Sequence, residues 1–398
     1  MARPLADSDI TELRARTPGA QAATVHFNHA GASLPSAATL QAIADHLRRE
    51  AGGPMEAGAA CAATEEARAL AARLLNAQPG EIALTTGNSP GWSAALAALP
   101  PWRTGDRILV GRHEWGGNLA AMKLRAAREG AAVEAIPSDE SGCVDPQALE
   151  AMLDERVRLV ALTWLPANGG LINPAAAIGD VARRHGIPYF IDAAQAVGQL
   201  PIDVRALGCD VLAGAGRKAL RGPRGTGLLY VRQDFLPCLT PPSVDTQSAP
   251  LGADDAPRLR GDAARLESSE AAVALHCGLA NALREALDIG LDAIRARIDA
   301  NAQALRAALA GIPGLELLDQ GRERSGLVSF SLRGWEPAAL RQALAGQGIH
   351  IGSNGVPYTP LDMRARGLSQ IARASVSYLT TSVEMDRLAQ ALRAAARR

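Results

Sequence analysis

Residues 214–231 read GAGRKALRGPRGTGLLYV, and this stretch carries one lysine, three arginines and five glycines before it ends in an apolar run. Four kinds of structure use so much positive charge with so few bulky side chains. The stretch can form a loop that cradles a phosphate, a patch that binds nucleic acid, a solvated surface turn, or the site of a lysine that forms a covalent bond. The rest of the sequence discriminates between these four hypotheses.

The charge balance of the chain argues against a nucleic-acid partner. The 398 residues contain 41 Lys and Arg and 41 Asp and Glu, so the formal net charge is zero. A protein that binds a polyanion should show a basic excess. The positive charge of residues 214–231 is therefore local and serves a small ligand.

The cysteines and the N-terminus indicate the compartment. The cysteines form no CxxC pair, which predicts neither a zinc site nor a disulfide framework and suits a reducing compartment. They are Cys61, Cys143, Cys209, Cys238 and Cys277. The first residues lack the apolar core of a signal peptide, and no apolar run is long enough to span a membrane. We expect a soluble, cytoplasmic protein with no membrane association and no bound metal.

Short apolar runs alternate with helical patterns between about residue 80 and residue 232. Several of these runs are apolar throughout, as expected when helices cover both faces of a parallel sheet. The predicted strands are 81–86, 107–112, 158–165, 187–192, 210–215 and 225–231, with alanine-rich helices over 118–129 and 174–185 among them. The alternation predicts a doubly wound α/β sheet.

The composition changes after residue 232. Residues 237–257 are rich in Pro, Ser and Asp and predict a long loop, which inside a compact enzyme is usually functional. A smaller α+β domain is predicted beyond it, with two helices over 267–310, strands over 327–332 and 372–379, and helices over 337–346 and from residue 382. We divide the chain into an N-terminal segment that packs on the small domain (1–25), a large α/β domain (26–264) and the small domain (265–398).

The turns that follow the predicted strands hold the candidate functional residues, because open α/β sheets bind ligands at the carboxyl ends of their strands. In chain order these residues are Asn88, Ser89, Trp115, Asn168, Asp192, Gln195 and Lys218. Four of these residues could instead have an ordinary structural role. Asn88 and Asp192 can cap helices, Trp115 can pack in the core, and Asn168 can serve a turn.

The combination of these residues points to one cofactor. Pyridoxal 5′-phosphate (PLP) requires a lysine for a Schiff base, an acid that keeps the pyridinium nitrogen protonated, a stacking group and donors for its phosphate. Neither GxxxxGK[ST] nor GxGxxG occurs in the chain, which argues against the usual nucleotide loops. The sequence therefore predicts that residues 214–231 form the seat of PLP.

The motifs resemble those of the class V group of fold-type I PLP enzymes, which includes cysteine desulfurases, kynureninase, isopenicillin-N-epimerase-like proteins and the C–S lyases of ergothioneine biosynthesis. The matching runs span residues 27 to about 392. They are NHAGASLPS (28–36), HEWGGN (113–118), PANGGLINP (166–174), IDAAQAVGQLPIDV (191–204), GRKALRGPRGTGLLYV (216–231) and ARASVSYLTTSVEMDRL (372–388). The resemblance implies the fold-type I PLP-dependent transferase fold, with a large domain built on a mostly parallel doubly wound sheet and a smaller C-terminal α+β domain.

The resemblance also implies roles for the residues around the cofactor ring. Lys218 would form the Schiff base and later move the proton. Asp192 would pair with the ring nitrogen, and Gln195 would hydrogen-bond the ring hydroxyl. Trp115 occupies the stacking position, where desulfurases carry a histidine.

The phosphate contacts implied by the resemblance come from two segments. Asn88 and Ser89 lie in the phosphate turn, and Arg217 stands where the family often has a phosphate-contacting histidine. Arg221 and Arg224 are expected to face the phosphate or a neighbouring subunit.

The substrate contacts are implied in the same way. Arg373 matches the arginine that binds the substrate α-carboxylate in a bidentate manner, a task to which lysine is poorly suited. Asn28 and His29 match the segment that borders the substrate, and a histidine held in a turn is the alternative for His29. Asn168 lies where the family contacts the ring hydroxyl or the substrate.

The resemblance further implies a homodimer with active sites at the interface. Residues 265–274 match the region that reaches the neighbour's phosphate, where Ser268 or Ser269 would supply a hydroxyl.

The reaction is less constrained than the cofactor. Persulfide-forming desulfurases carry a cysteine on a loop before the C-terminal arginine, and residues 351–368 contain none, which disfavours sulfur transfer to a protein. The leading hypothesis is a lyase that eliminates the sulfur group of a cysteine S-conjugate or its sulfoxide and yields pyruvate and ammonia. A class V aminotransferase, an amino-acid epimerase and a non-catalytic PLP-fold protein remain as alternatives. We expect the contacts to the substrate side chain to come from residues 237–257, 351–361 and the segment around His29.

Overall fold

A computed structural model describes residues 5–55 and 62–397. Cys61 lies outside these ranges, so the prediction about it is not addressed by the structure. The helices are α1 (Asp7–Ala15), α2 (Ala37–Gly52), α3 (Ala62–Leu75), α4 (Asn88–Ala98), α5 (Gly116–Glu129), α6 (Pro146–Met152), α7 (Ala175–Arg184), α8 (Val204–Leu207), α9 (Val273–Ile289), α10 (Leu291–Ala310), α11 (Pro337–Ala345), α12 (Pro360–Ala365) and α13 (Ser382–Ala395). Short 3₁₀ helices cover Pro18–Gln21, Pro79–Glu81, Gln233–Cys238, Ala263–Leu266 and Val356–Tyr358.

The larger sheet has the strand order β2-β8-β7-β6-β5-β3-β4. Its strands are β2 (Ile82–Thr85), β3 (Arg107–Gly111), β4 (Ala132–Ile136), β5 (Val157–Thr163), β6 (Tyr189–Asp192), β7 (Val211–Ala215) and β8 (Gly227–Val231). Strand β8 runs antiparallel to both of its neighbours, and the remaining pairs are parallel. The carboxyl ends of β2, β3, β5, β6 and β7 therefore share one edge of the sheet.

Both faces of this sheet are covered, which explains why its strands are apolar throughout. Ile108 of β3 belongs to one buried core together with Trp92 of α4 and Met122 of α5. The next residue, Leu109, belongs to the core on the opposite face, together with Ile178 of α7. Successive side chains of a strand point to opposite faces, so each residue of these strands meets a helix layer.

A second sheet of order β1-β11-β12-β10-β9 lies beside the first. Its strands are β1 (Val25–Phe27), β9 (Leu315–Leu317), β10 (Leu327–Leu332), β11 (Ile349–Gly355) and β12 (Gln370–Ser375). β1 pairs in parallel with β11, and the other pairs are antiparallel. This pairing places the segment that begins at residue 25 next to residues near the C-terminus.

Local sequence signals set the ends of several helices. α13 begins with a capping box, in which the Thr381 hydroxyl accepts from the Glu384 N–H and the Glu384 carboxylate accepts from the Thr381 N–H. α5 ends at Gly130, which adopts the left-handed conformation at φ 74°.

Most of the predicted elements agree with the structure. Strands β1 and β9 were not predicted, and the first of the two helices predicted over 267–310 begins only at Val273. Strand β4 was not predicted because it is a partly exposed edge strand containing alanine and glutamate. The strand predicted over 372–379 ends at Ser375, after which the chain turns towards α13. Residues 351–355, predicted as part of a loop, lie in strand β11. The division into three domains stays a prediction.

Candidate active site

A cavity of about 790 Å³ lies at the carboxyl edge of the larger sheet. One wall comes from the turns after the strands of this sheet, with Thr86–Pro90, Trp115, Asp192 and Lys218 among its residues. The other wall comes from the second sheet and the segment after β1, with Asn28, residues 352–354 and Arg373 among its residues. The two sheets therefore enclose the predicted cofactor and substrate residues in one space.

Lys218 follows β7 and extends into this cavity. Its ammonium nitrogen lies 5.9 Å from the centroid of the Trp115 ring. Burial lowers the pKa of Lys218 from 10.5 to about 8, and the positive charges of Arg217 and Arg373 act in the same direction, whereas Asp192 opposes them. The amine consequently loses its proton at a lower pH than an exposed lysine does, which suits a nucleophile and a proton carrier.

Asp192 is the last residue of β6 and is buried. Its Oδ2 accepts hydrogen bonds from the side-chain amides of Asn88 (2.9 Å) and Asn118 (2.7 Å), and its Oδ1 accepts from the backbone N–H of Ala194 (2.9 Å). Three donors offset much of the desolvation cost of a buried carboxylate. The carboxylate is thus held rigidly at the cavity wall.

The turn after β2 leads into the first turn of α4. Gly87, Asn88, Ser89 and Pro90 all line the cavity, so the N-terminus of this helix faces the cavity. The free N–H groups and the dipole of such a helix end favour an anion. The side-chain amide of Asn88 donates to Asp192, while its Oδ1 is buried without a hydrogen-bond partner.

Trp115 immediately precedes α5, and its backbone N–H donates to the hydroxyl of Thr163 at 2.9 Å. The indole ring lies 5.5 Å from the ring of Tyr358, at an angle of 51°. The next residue has to be glycine, because a Cβ at Gly116 would lie 1.9 Å from the carbonyl oxygen of Pro357. The segment 356–358 therefore rests directly on the turn that carries the tryptophan.

A buried cluster fixes α12 beside the same turn. Oδ1 of Asp362 lies 3.2 Å from Nε of Arg112 and 3.4 Å from Nε2 of His113, and Oδ2 lies 3.4 Å from Nη1 of Arg366. Burial lowers the pKa of His113 to about 4, so the imidazole is neutral at physiological pH. This cluster ties the segment after β11 to the HEWGGN turn.

Arg373 lies on β12, and its guanidinium is buried. It donates to the carbonyl of Ala167 (2.9 Å) and to Oδ1 of Asn28 (3.2 Å), while its Nε has no partner. Burial lowers its pKa to about 10. Across the sheet stands Gly352, where a Cβ would come within 3.2 Å of Nη2 of Arg373. A buried guanidinium that has an unused donor, and no carboxylate partner among residues 5–55 and 62–397, fits an anionic ligand.

Gln195 and Arg217 also line the cavity. Gln195 donates to the carbonyl of Ala30 at 3.0 Å. Arg217 donates to the carbonyl of Gly31, and burial together with Arg224 lowers the pKa of its guanidinium. Both side chains connect the turns of the larger sheet to the segment after β1.

The expectation for Arg221 is wrong. Its side chain is buried and donates to the carbonyl of Leu34 (2.8 Å), the Tyr378 hydroxyl (2.6 Å) and the Thr17 hydroxyl (2.6 Å). The left-handed backbone at Arg221, with φ 65°, turns the side chain away from the cavity. This arginine joins the N-terminal and C-terminal segments within one chain.

Three further predicted residues lie outside the cavity wall. His29 is buried, with Nδ1 3.1 Å from the Ser33 hydroxyl. Asn168 is also buried and hydrogen-bonds Thr359 and Asn354. Ser269 is exposed, and its N–H donates to Asp245 at 2.6 Å. Its predicted contact with a neighbouring subunit concerns a second chain and stays a prediction.

The cavity also contains residues that the sequence reasoning missed. His26, Arg341 and Tyr358 line it, and Asn118 holds Asp192 from behind. Asn118 could have been found, because it closes the HEWGGN turn. His26 and Arg341 belong to elements whose position depends on the second sheet, and no local signal marks them. Residues 237–257 do not line the cavity.

The arrangement fits PLP, and a comparison with known families agrees with it. A family model described as aminotransferase class-V matches residues 25–388. The chain belongs to this family. The fold-type I architecture and PLP as the cofactor, both predicted from the sequence, are confirmed.

Curated relatives place the chain among cysteine desulfurases and C–S lyases. A probable hercynylcysteine sulfoxide lyase from Mycobacterium tuberculosis is 32% identical over 397 residues, which covers 98% of this chain and 95% of the relative. A cysteine desulfurase from Synechococcus elongatus is 31% identical over 291 residues, which covers 73% of this chain. The chain spans about half the length of that second relative, since the match covers 46% of it.

Solved structures give the same grouping. The complex of the cystine C–S lyase C-DES with its reaction product cysteine persulfide has a TM-score of 0.86 and 27% identity, and the match covers 95% of this chain and 99% of that chain. A mutant of C-DES with glycine covalently linked to its PLP cofactor has a TM-score of 0.87 and 27% identity, and covers 96% and 98% of the two chains. Within the described residues, no helix combines the length and the apolarity needed to cross a membrane.

Proposed function

We propose that this family member is a C–S lyase that eliminates the sulfur group from a cysteine S-conjugate or its sulfoxide. The observation that carries the proposal is that Lys218 and the buried guanidinium of Arg373 line the same cavity. No cysteine of the described residues lines it. A reaction that needs a lysine base and an anchored α-carboxylate, without a protein thiol, fits this set. The similarity to a probable sulfoxide lyase and to a cystine C–S lyase supports the same reaction class.

The residues of the cavity would hold the cofactor in a defined orientation. Lys218 would bind it covalently, Asp192 would face its ring nitrogen, and Trp115 would stack on its ring. The N-terminus of α4 together with Ser89 and Arg217 would bind its phosphate, and Gln195 would face the ring hydroxyl. When bound, PLP supplies an electron sink that stabilises negative charge at Cα of an amino acid.

The protein groups would then move the proton and orient the substrate. Arg373 binds the α-carboxylate through charge-assisted hydrogen bonds. The substrate amine would first displace Lys218 from the cofactor, and the freed amine of Lys218, with its pKa of about 8, would then accept the proton from Cα. The Cβ–S bond breaks, its electron pair leaves with sulfur, and sulfur takes up a proton. Hydrolysis of the remaining three-carbon unit gives pyruvate and ammonia.

Covalent attachment of the cofactor is the first step to test. Lys123 and Lys218 are the two lysines of the chain, and Lys123 is exposed on α5. Borohydride reduction of the PLP-loaded protein, followed by peptide mapping, should label Lys218 and leave Lys123 unlabelled. A label on Lys123 alone would contradict the assignment.

The reaction itself is tested by pyruvate release. Purified, PLP-loaded protein is incubated with a panel of cysteine S-conjugates and their sulfoxides, with Lys218→Ala as the inactive control and Lys123→Ala as the matched control. We expect release by the wild type and by Lys123→Ala, and none by Lys218→Ala. Absence of pyruvate from the whole panel would refute the lyase proposal.

An aminotransferase or an amino-acid epimerase using the same residues is the second candidate function. Its support is that Lys218 and Arg373, which both reactions would also use, line the same cavity, so the difference lies in the bond that breaks. Formation of pyridoxamine 5′-phosphate would show transamination, and exchange of the α-proton in deuterated water without elimination would show epimerisation.

We further propose that the protein works as a homodimer. Leu40 and Leu47 are exposed one above the other on α2, and Ser269 lies in an exposed segment. Contact with a second chain would remove these two apolar side chains from water. The molar mass in solution, measured by light scattering, should be twice that of the 41.4 kDa chain.

A further inference from the structure

A second buried carboxyl group lies behind Asp192 and takes no part in the reaction proposed above. Glu114 is fully buried in the turn between β3 and α5. Its Oε1 accepts a hydrogen bond from Nδ2 of Asn118 at 3.0 Å, and the same nitrogen donates to Oδ2 of Asp192 at 2.7 Å. The amide of Asn118 therefore bridges two acids, one at the cavity wall and one in the core.

Two buried oxygen atoms of Glu114 and Asn118 lack a hydrogen-bond donor. Oε2 of Glu114 and Oδ1 of Asn118 are both buried and have no hydrogen-bond partner. Both atoms are acceptors when Glu114 is ionised, so neither would then have a donor. A proton on Glu114 supplies a donor of the kind that this pair lacks.

The electrostatic surroundings favour the same state. The groups that face Glu114 are Asp192 and Tyr189 on β6, Thr163 on β5 and Asn118 on α5. Burial and, after it, the negative charge of Asp192 raise the pKa of Glu114 to about 8, although Asn118 and Thr163 act in the opposite direction.

We propose that Glu114 is a positioning residue, which remains protonated and acts through Asn118 to hold Asp192 as the single anion behind the cofactor's ring nitrogen. This inference rests on the cofactor site and not on the lyase reaction. A neutral Glu114 orients the Asn118 amide towards Asp192 without adding a second negative charge next to it. An ionised Glu114 would repel Asp192 across that amide.

Infrared spectroscopy tests the protonation state directly. Difference spectra of the PLP-loaded protein are recorded between pH 6.5 and pH 9.5, for the wild type and for Glu114→Gln. We expect the carbonyl band of a protonated carboxylic acid in the wild type, lost as the pH rises, and no such band in Glu114→Gln. A wild type without this band at pH 6.5, or a band that persists in Glu114→Gln, would overturn the proposal.

The positioning role is tested by PLP affinity and by the visible absorption band of the bound cofactor. Glu114→Gln keeps a carbonyl acceptor for Asn118, so we expect PLP affinity within about twofold of the wild type and a cofactor band that no longer shifts near pH 8. Glu114→Ala removes the acceptor, and the loss of one buried hydrogen bond should weaken PLP binding about five- to tenfold.

Equal weakening by both variants would show that a carbonyl acceptor at position 114 is not sufficient, because Gln keeps both the acceptor and the packing, and it would reject the positioning role of a neutral Glu114. If Glu114→Ala does not fold, the infrared comparison of the wild type with Glu114→Gln still decides the question. Neither readout requires pyruvate release, so a failure of the lyase proposal would be seen separately.

Discussion

The protonated state of Glu114 has a consequence for folding that can be calculated. In the folded chain the pKa of Glu114 is about 8, against an ordinary value of 4.5, because the side chain is buried and Asp192 lies nearby. Between pH 4.5 and pH 8, Glu114 is therefore protonated in the folded chain and ionised in the unfolded chain. A group of this kind costs no stability below pH 4.5, and its cost grows as the pH rises towards 8.

The size of the effect follows from the shift. Each pH unit in this window corresponds to about 1.4 kcal/mol, so the cost approaches roughly 4 to 5 kcal/mol at pH 8. Gln at position 114 has no proton to release and does not incur this cost. We expect Glu114→Gln to become progressively more stable than the wild type between pH 5 and pH 8.

Urea unfolding of the cofactor-free protein, followed by tryptophan fluorescence, measures the difference at several pH values. The comparison cancels the titration of every group that the two proteins share. Glu140→Gln, at an exposed glutamate, is the matched control for the substitution itself. A difference between wild type and Glu114→Gln that stays constant from pH 5 to pH 8 would show that Glu114 is ionised, and the reasoning would fail.

Three other substitutions test the site. Arg373→Lys should raise KM about ten- to a hundredfold with a smaller change in kcat, because lysine cannot make the bidentate contact to the α-carboxylate. Gly116→Ala should lower the thermal midpoint and displace Tyr358 from Trp115, since overpacking costs about 1–3 kcal/mol. Gly52→Ala, where no neighbouring atom lies within 4 Å, is its control for thermal unfolding and PLP affinity. Lys218→Met should stabilise the cofactor-free protein by about 1–2 kcal/mol below pH 8, after allowance for solvent screening, because burial disfavours the charged lysine. The gain should vanish above pH 10.5, where lysine is neutral in the folded and the unfolded chain. Urea unfolding measures the difference, and Lys123→Met is the control.

The strands of the larger sheet were predictable for a physical reason. A parallel strand covered on both faces is a continuous apolar run, and the polar residues that directly follow such runs fall at one edge of the sheet. Asp192 and Lys218 were found in this way. β4 was not predicted because an edge strand with exposed positions lacks a continuous run of apolar residues.

The second sheet was less predictable, because its pairings join distant parts of the chain. Val25 pairs with Ile349, and this contact sets which side chains of the N-terminal segment face the cavity. His26 lines the cavity, which the sequence did not predict, and His29 is buried beside Ser33, in agreement with the alternative of a histidine held in a turn. Composition likewise did not predict that Arg221, whose backbone is left-handed, would be buried against Leu34, Tyr378 and Thr17.

The sequence by itself determined the family and the cofactor, because these depend on residue types and on their order along the chain. It also named the residues that we propose carry the chemistry. Only the tertiary structure decided the protonation and pairing of those groups. Glu114 and Asp192 share one amide of Asn118, and the buried Arg373 keeps an unused donor. Desolvation and hydrogen bonding depend on atoms brought together from distant segments, and no local pattern in the sequence records that proximity.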